Sequence, residues 1–209
     1  MSITSGAGRW RNVDGLKRVA PGAGFELGTR GSGTRPTEWH CSEPTGNSVS
    51  PNFSNLAGQT EPYFVAQLNG FKSHGRRDPV GFEYMWGLSR SLTDEQIKGL
   101  AAYYAGQTPS PQLIEGKRSR FEAGKTIFAS GVADKGVPAC STCHGAEGKG
   151  NATFPRLAGQ HADYLIKQLI VFRRIDERPE GGLMKTVAHE MSKQNIEDVA
   201  GYLQGLQNP

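Results

Sequence analysis

The residues of this chain best suited to chemistry stand at 140–144, where the sequence reads Cys-Ser-Thr-Cys-His. Two thiols three positions apart at the start of a helix can each add to one vinyl group of a porphyrin, and the next residue then lies under the iron. His144 would bind iron through one ring nitrogen, so its other nitrogen needs an acceptor that fixes the tautomer. A backbone carbonyl near Pro155 is the predicted acceptor. The spacing predicts covalent attachment of a c-type haem through Cys140 and Cys143.

A Cys-x-x-Cys pair also occurs in zinc sites and in thiol redox centres. Structural zinc needs four nitrogen or sulfur ligands, and the distant partners available are His40, Cys41, His161 and His189, whose spacing is not that of a zinc finger. A thiol redox motif usually lies in a β-α-β unit, which the sequence does not predict. Both alternatives are therefore weaker than haem attachment.

A tandem repeat surrounds the motif. Offset by 101 residues, LAGQTEPYFVAQLNGFK at 56–72 aligns with LAGQHADYLIKQLIVFR at 157–173, and offset by 99 residues, 85–106 aligns with 184–205. The chain is two copies of one unit, joined by a linker whose two prolines interrupt any helix. The identical pairs include Leu56 and Leu157, Gln59 and Gln160, Gln67 and Gln168, Phe71 and Phe172, Met85 and Met184, and Tyr103 and Tyr202.

Both units have helical periodicity. Leu165, Leu169 and Phe172 recur at spacings of one helical face. Thr93 begins a capping box and Ser192 caps the matching helix of the second unit. We predict an all-α fold with three or four short helices in each unit, and the inward face of the last helix comprises Ile196, Val199, Ala200 and Leu203.

An electron-carrying haem needs a sixth iron ligand, and a methionine thioether both fills that position and raises the reduction potential. Met184 and Met191 compete for this role. The repeat pairs Met184 with Met85 but pairs Met191 with Leu92. Met191 is therefore predicted to fill an apolar core, and Met184 is predicted to reach the iron from a loop between helices.

The sequence resembles the di-haem class I cytochromes c of bacterial respiratory chains, the subclass numbered four. The resemblance runs from GNSVSPNFSNLAGQ at 46–59 to the end, and includes VPACSTCHGAEGKGN, FPRLAGQHADYLIKQL and GLMKTVAHEMS. It implies two tandem cytochrome c-like domains related by approximate twofold symmetry, each with a His/Met-ligated haem. Carried over by position, the haem-binding residues are Cys140, Cys143 and Pro155, the iron ligands are His144 and Met184, and Met85 is the sixth ligand of the first haem.

The resemblance also implies a function. Such proteins are periplasmic carriers whose redox partners are a quinol-oxidising complex and a terminal oxidase, with peripheral membrane association left open. Because two protein ligands leave no open iron position, we expect an electron carrier and no enzyme. The alternative is a cytochrome subunit of an oxidoreductase or a haem peroxidase, and a peroxidase would require displacement of Met184.

The first unit departs from the family pattern. When the glycines that follow the two motifs are aligned, Cys41 replaces the second thiol, while Glu38 and Ser42 stand where the first thiol and the histidine belong. We therefore predict one covalent haem, in the second unit, where the intact family pattern has two. The first unit is predicted to be the less stable one, with an unfilled pocket lined by Leu56, Leu68, Phe71 and Tyr103.

The resemblance stops abruptly near Thr45. Residues 1–40 have neither an apolar run nor helical periodicity, so we predict an irregular, disordered segment and hypothesise that residues 1 to about 42 are read out of frame relative to the ancestral gene. The predicted domains are 41–107, without a haem-attachment motif, and 117–209, with one, joined by a linker at 108–116. The chain as written has no signal peptide, so a periplasmic location rests on the resemblance.

Composition excludes two broad classes of function. The mean hydropathy is −0.52, and no apolar run approaches the roughly 18 residues of a membrane-spanning helix. The net charge of +4 arises largely from the basic segment 1–40, and the rest of the chain is nearly balanced. A nucleic-acid-binding face is therefore not expected.

Overall fold

The computed structural model describes residues 44–113, 117–174 and 177–206. Within these ranges the chain is helical, with isolated β-bridges as its extended pairings, so the all-α prediction is confirmed. The segment 1–40 and its neighbours Cys41 and Ser42 lie outside the described residues. The α-helices are α1 (Glu61–Lys72), α2 (Pro79–Ser89), α3 (Asp94–Ala105), α4 (Arg118–Ser130), α5 (Ser141–His144), α6 (Ala162–Phe172), α7 (Gly182–Glu190) and α8 (Lys193–Gly205), with 3-10 turns at Ala133–Lys135 and Pro179–Gly181.

Helices α1–α3 form the first unit, in which α1 packs against both α2 and α3. Its core contains Phe64, Leu68, Leu92, Ile97 and Ala101, with Met85 partly buried at the edge. Helix α3 begins as predicted, because the Thr93 hydroxyl accepts a hydrogen bond from the Gln96 backbone N–H in a capping box. This cap satisfies backbone donors that would otherwise be unpaired at the helix start.

Helices α4–α8 form the second unit. Helix α8 packs along α4 and against α6, and α6 also contacts α7. The predicted inward face of α8 is confirmed, since Ile196, Val199, Ala200 and Leu203 are all buried. Ser192 caps this helix through the Asn195 backbone N–H, which confirms the second predicted cap.

The repeated tyrosines have different surroundings in the two units. Tyr202 is 8% exposed, and its ring centroid lies 5.1 Å from that of Phe121 and 5.7 Å from that of Phe128, both on α4. Tyr103 is 39% exposed and donates its hydroxyl to the carbonyl of Pro44 at 2.9 Å. The prediction that Tyr103 lines an internal pocket is therefore wrong, because no helix equivalent to α4 covers it among the described residues.

Two glutamines join the units by reciprocal hydrogen bonds. The Gln59 amide accepts from the Arg156 backbone N–H at 2.7 Å and donates to the Arg156 carbonyl at 3.2 Å. The Gln160 amide accepts from the Asn55 N–H at 2.8 Å and donates to the Asn55 carbonyl at 3.0 Å. Because each unit gives the other the same pair of bonds, this contact has the pattern of a twofold axis.

A second reciprocal contact lies between α1 and α6. Arg178 donates to Gln168 of its own unit at 2.6 Å and to Gln67 of the other unit at 2.7 Å. Arg76 donates to Gln67 at 2.7 Å and lies 3.5 Å from the Gln168 oxygen. Both arginines contact the same two glutamines, so this contact explains why Gln67 and Gln168 are identical in the repeat.

The close packing of α4 on α8 depends on Gly124. A methyl group at this position would collide with the backbone carbonyl of Asp198 and with Cβ of Tyr202. We expect Gly124→Ala to lower the free energy of unfolding of the second unit by about 1–3 kcal/mol, because the two backbones must separate. Urea denaturation monitored by circular dichroism measures this change.

Gly201 on α8 provides the matched control, because a methyl group there meets no neighbouring atom. Gly201→Ala should leave stability unchanged or raise it by about 0.5–1 kcal/mol, through the higher helix propensity of alanine. Equal effects of the two substitutions would contradict the packing argument for Gly124.

Candidate haem-attachment site

The one-turn helix α5 brings the two thiols and the histidine together. Cys140 is its N-cap residue, and Cys143 and His144 are its last two residues. Gly145 follows with φ of 81°, a conformation that favours glycine and turns the chain away directly after the histidine. The two cysteines are not joined in a disulfide, so both thiols are available for thioether bonds.

The predicted hydrogen bond of His144 is present. Its Nδ1 lies 2.9 Å from the carbonyl oxygen of Pro155. A carbonyl can only accept, so Nδ1 carries the proton and Nε2 keeps its lone pair. Burial lowers the pKa of His144, although the bond to Pro155 opposes this effect. The imidazole is thereby held neutral and oriented, as a metal ligand must be.

Cys140 is a poor nucleophile in its surroundings. Burial raises the pKa of its thiol to about 11, and its sulfur lies 3.9 Å from the Ile127 carbonyl oxygen. A protonated, partly buried thiol does not suit disulfide exchange, which requires the thiolate. The setting disfavours the thiol redox alternative, as does the lack of β-strands in the described chain.

The described residues contain no group of three or more His, Cys, Asp or Glu side chains that could hold a metal ion. His161, one partner considered for zinc, is buried and donates from Nε2 to the Ser48 carbonyl at 2.9 Å. His40 and Cys41 lie outside the described ranges. Since α5 alone supplies Cys140, Cys143 and His144, the donor set fits a haem iron with covalent attachment better than tetrahedral zinc.

The two methionines of the second unit occupy different environments. Met191 is buried in the core of the second unit, which confirms its predicted role, and its counterpart Leu92 is buried in the first unit. Met184 is partly buried and lies in the first turn of α7. The prediction that Met184 lies in a loop is therefore wrong, since the 3-10 turn at Pro179–Gly181 leads directly into the helix.

Arg156 and the glutamines of the two LAGQ segments belong to no motif that the sequence alone reveals. Gln59 and Gln160 bind the backbone beside the site, at Arg156 and Asn55. Their identity in the two repeats was the available signal, because an invariant polar residue within a repeat of apolar pattern indicates a shared contact.

Comparison with known proteins identifies the family of this site. Residues 121–207 match the cytochrome c family. Cytochrome c4 of Azotobacter vinelandii is 37% identical over 180 residues, which cover 79% of this chain and 82% of that protein. The chain belongs to the cytochrome c4 family. The solved cytochrome c4 structure from Acidithiobacillus ferrooxidans is 38% identical, with a TM-score of 0.68, and the match covers 76% of this chain and 91% of that chain.

A further relative carries a more specific name. The thiosulfate dehydrogenase electron acceptor of Stutzerimonas stutzeri strain A1501 is 31% identical over 187 residues, covering 86% of this chain and 84% of that protein. Cytochromes c4 are di-haem class I cytochromes that carry electrons and are not enzymes. The chain is accordingly a c-type electron carrier built from two tandem cytochrome c-like domains.

None of the helices in the described ranges is long and apolar enough to cross a membrane.

Proposed function

We propose that this cytochrome c4 relative carries electrons through one His/Met-ligated haem c, bound in its second unit, between a quinol-oxidising complex and a terminal oxidase in the periplasm. The observation that carries the proposal is the His144 imidazole, held at Nδ1 by the Pro155 carbonyl beside two unpaired thiols. Haem c supplies a one-electron couple between ferric and ferrous iron when it is bound.

The chain's own residues determine what this site can do. Cys140 and Cys143 would fix the porphyrin covalently, and His144, oriented by the Pro155 carbonyl, would hold the iron. Met184 is the proposed second axial ligand, and its repeat partner is Met85. With His144 and Met184 both holding the iron, no position would be left for a substrate, so the site would exchange electrons without bond chemistry.

The oxidised and reduced protein test this function directly. We expect a ubiquinol-oxidising complex to reduce the ferric protein rapidly and a terminal oxidase to reoxidise it, both followed by the visible absorption bands in a stopped-flow instrument. Carbon monoxide should not alter the ferrous spectrum, because both axial positions are occupied. Slow exchange with both complexes, or ready binding of carbon monoxide, would contradict the proposal.

A thiosulfate-oxidising enzyme is a second candidate electron donor. The relative named as an electron acceptor of thiosulfate dehydrogenase spans most of this chain, which favours a role in accepting electrons from a thiosulfate-oxidising enzyme. Reduction by thiosulfate plus that dehydrogenase, without reduction by a quinol-oxidising complex, would establish this alternative instead.

The proposed sixth ligand is tested by two methionine variants. Met184→Leu should keep the covalent haem but lose the low-spin spectrum and lower the reduction potential by about 59 mV or more, which for one electron is a tenfold shift toward the ferric form. Met191→Leu should change the potential little and stability by less than about 1.5 kcal/mol, because it exchanges buried apolar groups of similar volume. Loss of the low-spin spectrum in Met191→Leu alone would reverse the assignment.

A further inference from the structure

Arg156 is a buried cation beside the haem-attachment site. Arg156 is 8% exposed and directly follows Pro155, whose carbonyl accepts the hydrogen bond from His144 Nδ1. Its Nε donates to the Ala158 carbonyl at 3.1 Å. The two terminal Nη groups form no hydrogen bond or ion pair with any described residue, so up to four N–H donors have no partner in the described protein.

The other buried arginines show what Arg156 lacks. Arg76 lies 2.6 Å from the Asp78 carboxylate and Arg178 lies 2.8 Å from the Glu180 carboxylate. A buried guanidinium without such a partner costs several kcal/mol. Burial accordingly lowers the pKa of Arg156. Among the described residues, Arg156 therefore lacks the carboxylate partner that Arg76 and Arg178 have.

The terminal nitrogens of Arg156 are not cut off from solvent. No described side-chain nitrogen or oxygen that is cut off from solvent lacks a hydrogen-bond partner. The unpartnered Nη groups must therefore retain access to a cavity or cleft, although the residue as a whole is buried. An anion can reach them from that side.

The backbone of Arg156 is fixed from the opposite unit. Its N–H and carbonyl both bind the Gln59 amide, so the first unit holds the residue in register with Pro155. The equivalent position of the first unit is Asn55, which is neutral. At this position of the repeat, only the second unit therefore has a charged side chain.

We propose that Arg156 binds a propionate carboxylate of the haem attached at Cys140 and Cys143, and that its positive charge raises the reduction potential of that haem. A guanidinium matches a carboxylate with two parallel N–H donors, which explains an arginine with both Nη groups unpaired. The proposal rests on the proposed haem site. Arg156 is a positioning residue, because it acts on the iron through the propionate and its charge.

Potentiometric titration of the haem-loaded protein tests this proposal with two variants. Arg156→Gln should shift the ferric to ferrous ratio about tenfold toward ferric at a given potential, equivalent to a decrease of about 59 mV, because an uncompensated carboxylate favours the more positive ferric iron. Arg156→Lys keeps the charge but loses the paired donors, so its potential should lie between those of Arg156→Gln and the parent.

Arg120→Gln is the control for charge alone. Arg120 pairs with Glu197 and Asp198, and its side chain is 45% exposed, so solvent screens its charge. This variant should shift the potential much less than Arg156→Gln. An equal shift would show a general charge effect and overturn the specific role of Arg156.

The outcomes separate this proposal from its competitors. An unchanged potential in Arg156→Gln with reduced thermal stability would show a purely structural role and overturn the proposal. If Arg156→Gln does not retain haem, an Arg156→Lys variant with the parent potential would also overturn the proposal.

Phosphate titration at constant ionic strength identifies which anion Arg156 binds. A saturable decrease in the reduction potential of the parent protein, absent from Arg156→Gln, would indicate a dissolved anion and contradict propionate binding. Parent protein without covalent haem would instead refute the proposed function.

Discussion

Replacing both Cys140 and Cys143 with alanine should abolish covalent haem binding. Cys143 lies on the one-turn helix α5 and Cys140 is its N-cap residue, and no other cysteine is described in the second unit. The intact mass of the variant should equal that of the polypeptide alone. Acid extraction should remove any residual haem, because coordination by His144 and Met184 does not survive denaturation.

Loss of the haem should also destabilise the second unit strongly. A thioether-linked haem stays attached to the unfolded chain, so it stabilises the folded state through the apolar surface that it buries and the iron ligands that it engages there. We expect the unit to lose several kcal/mol of unfolding free energy, about the contribution of a large buried apolar group. The helical circular dichroism signal should then disappear at much lower urea concentration than in the parent.

Cys41→Ala is the matched control for the double variant. It removes a cysteine from the first unit, where Glu38 and Ser42 replace the other residues of the motif. We expect its haem content and mass difference to match those of the parent. A loss of haem in Cys41→Ala would show that the first unit binds a haem after all.

The second large effect is expected for Asp78→Asn. Asp78 is 1% exposed and lies 2.6 Å from Nε of Arg76 at the contact between the units. Asparagine removes the negative charge and leaves the buried Arg76 guanidinium uncompensated. We expect a loss of about 3–5 kcal/mol, measured by urea denaturation of the haem-loaded protein at neutral pH.

The effect of Asp78→Asn should depend on pH. Burial alone raises the pKa of Asp78, but the charge and hydrogen bonds of Arg76, with help from Arg178 and Gln168, hold it below its usual value. A carboxyl group with a lowered folded-state pKa stabilises the protein above its unfolded value of about 4, and this stabilisation is lost as the pH falls through the folded value. The stability difference between parent and Asp78→Asn should therefore be full near pH 7 and shrink below about pH 4.

Glu180→Gln is the symmetric control. Glu180 pairs with Arg178 at 2.8 Å, but its side chain is 37% exposed. Because Asp78 still compensates the charge of Arg178 and the carboxylate that is lost was partly solvated, we expect a cost of about 0–1 kcal/mol. Equal costs for the two variants, or a cost for Asp78→Asn that does not change with pH, would contradict the burial argument.

Features that depend on local pattern could be predicted from the sequence. The caps at Thr93 and Ser192 and the buried face of α8 follow from helical spacing and residue type. The carbonyl acceptor of His144 follows from the chemistry of a metal-bound imidazole. The burial of Met191 follows from its alignment with Leu92, because equivalent positions of a repeated fold have equivalent surroundings in the core.

Features that depend on the relation between units could not be predicted. Tyr103 and Tyr202 are identical in the repeat, but only Tyr202 is covered by α4. Arginine is usually exposed, but Arg156 is buried at the contact where Gln59 of the other unit binds its backbone. Met184 was expected in a loop because a ligand on the opposite haem face should come from a loop between helices, and no sequence signal shows that α7 begins before it.

The haem-to-protein ratio of the purified, exported protein tests the central claim most directly. For this purpose the chain is produced with a grafted export signal, and its haem is quantified from the denatured spectrum beside the intact mass. One covalent haem per chain, lost in the Cys140 and Cys143 double variant, is the predicted result. Two covalent haems per chain would contradict the account, and so would none in a protein that is correctly exported.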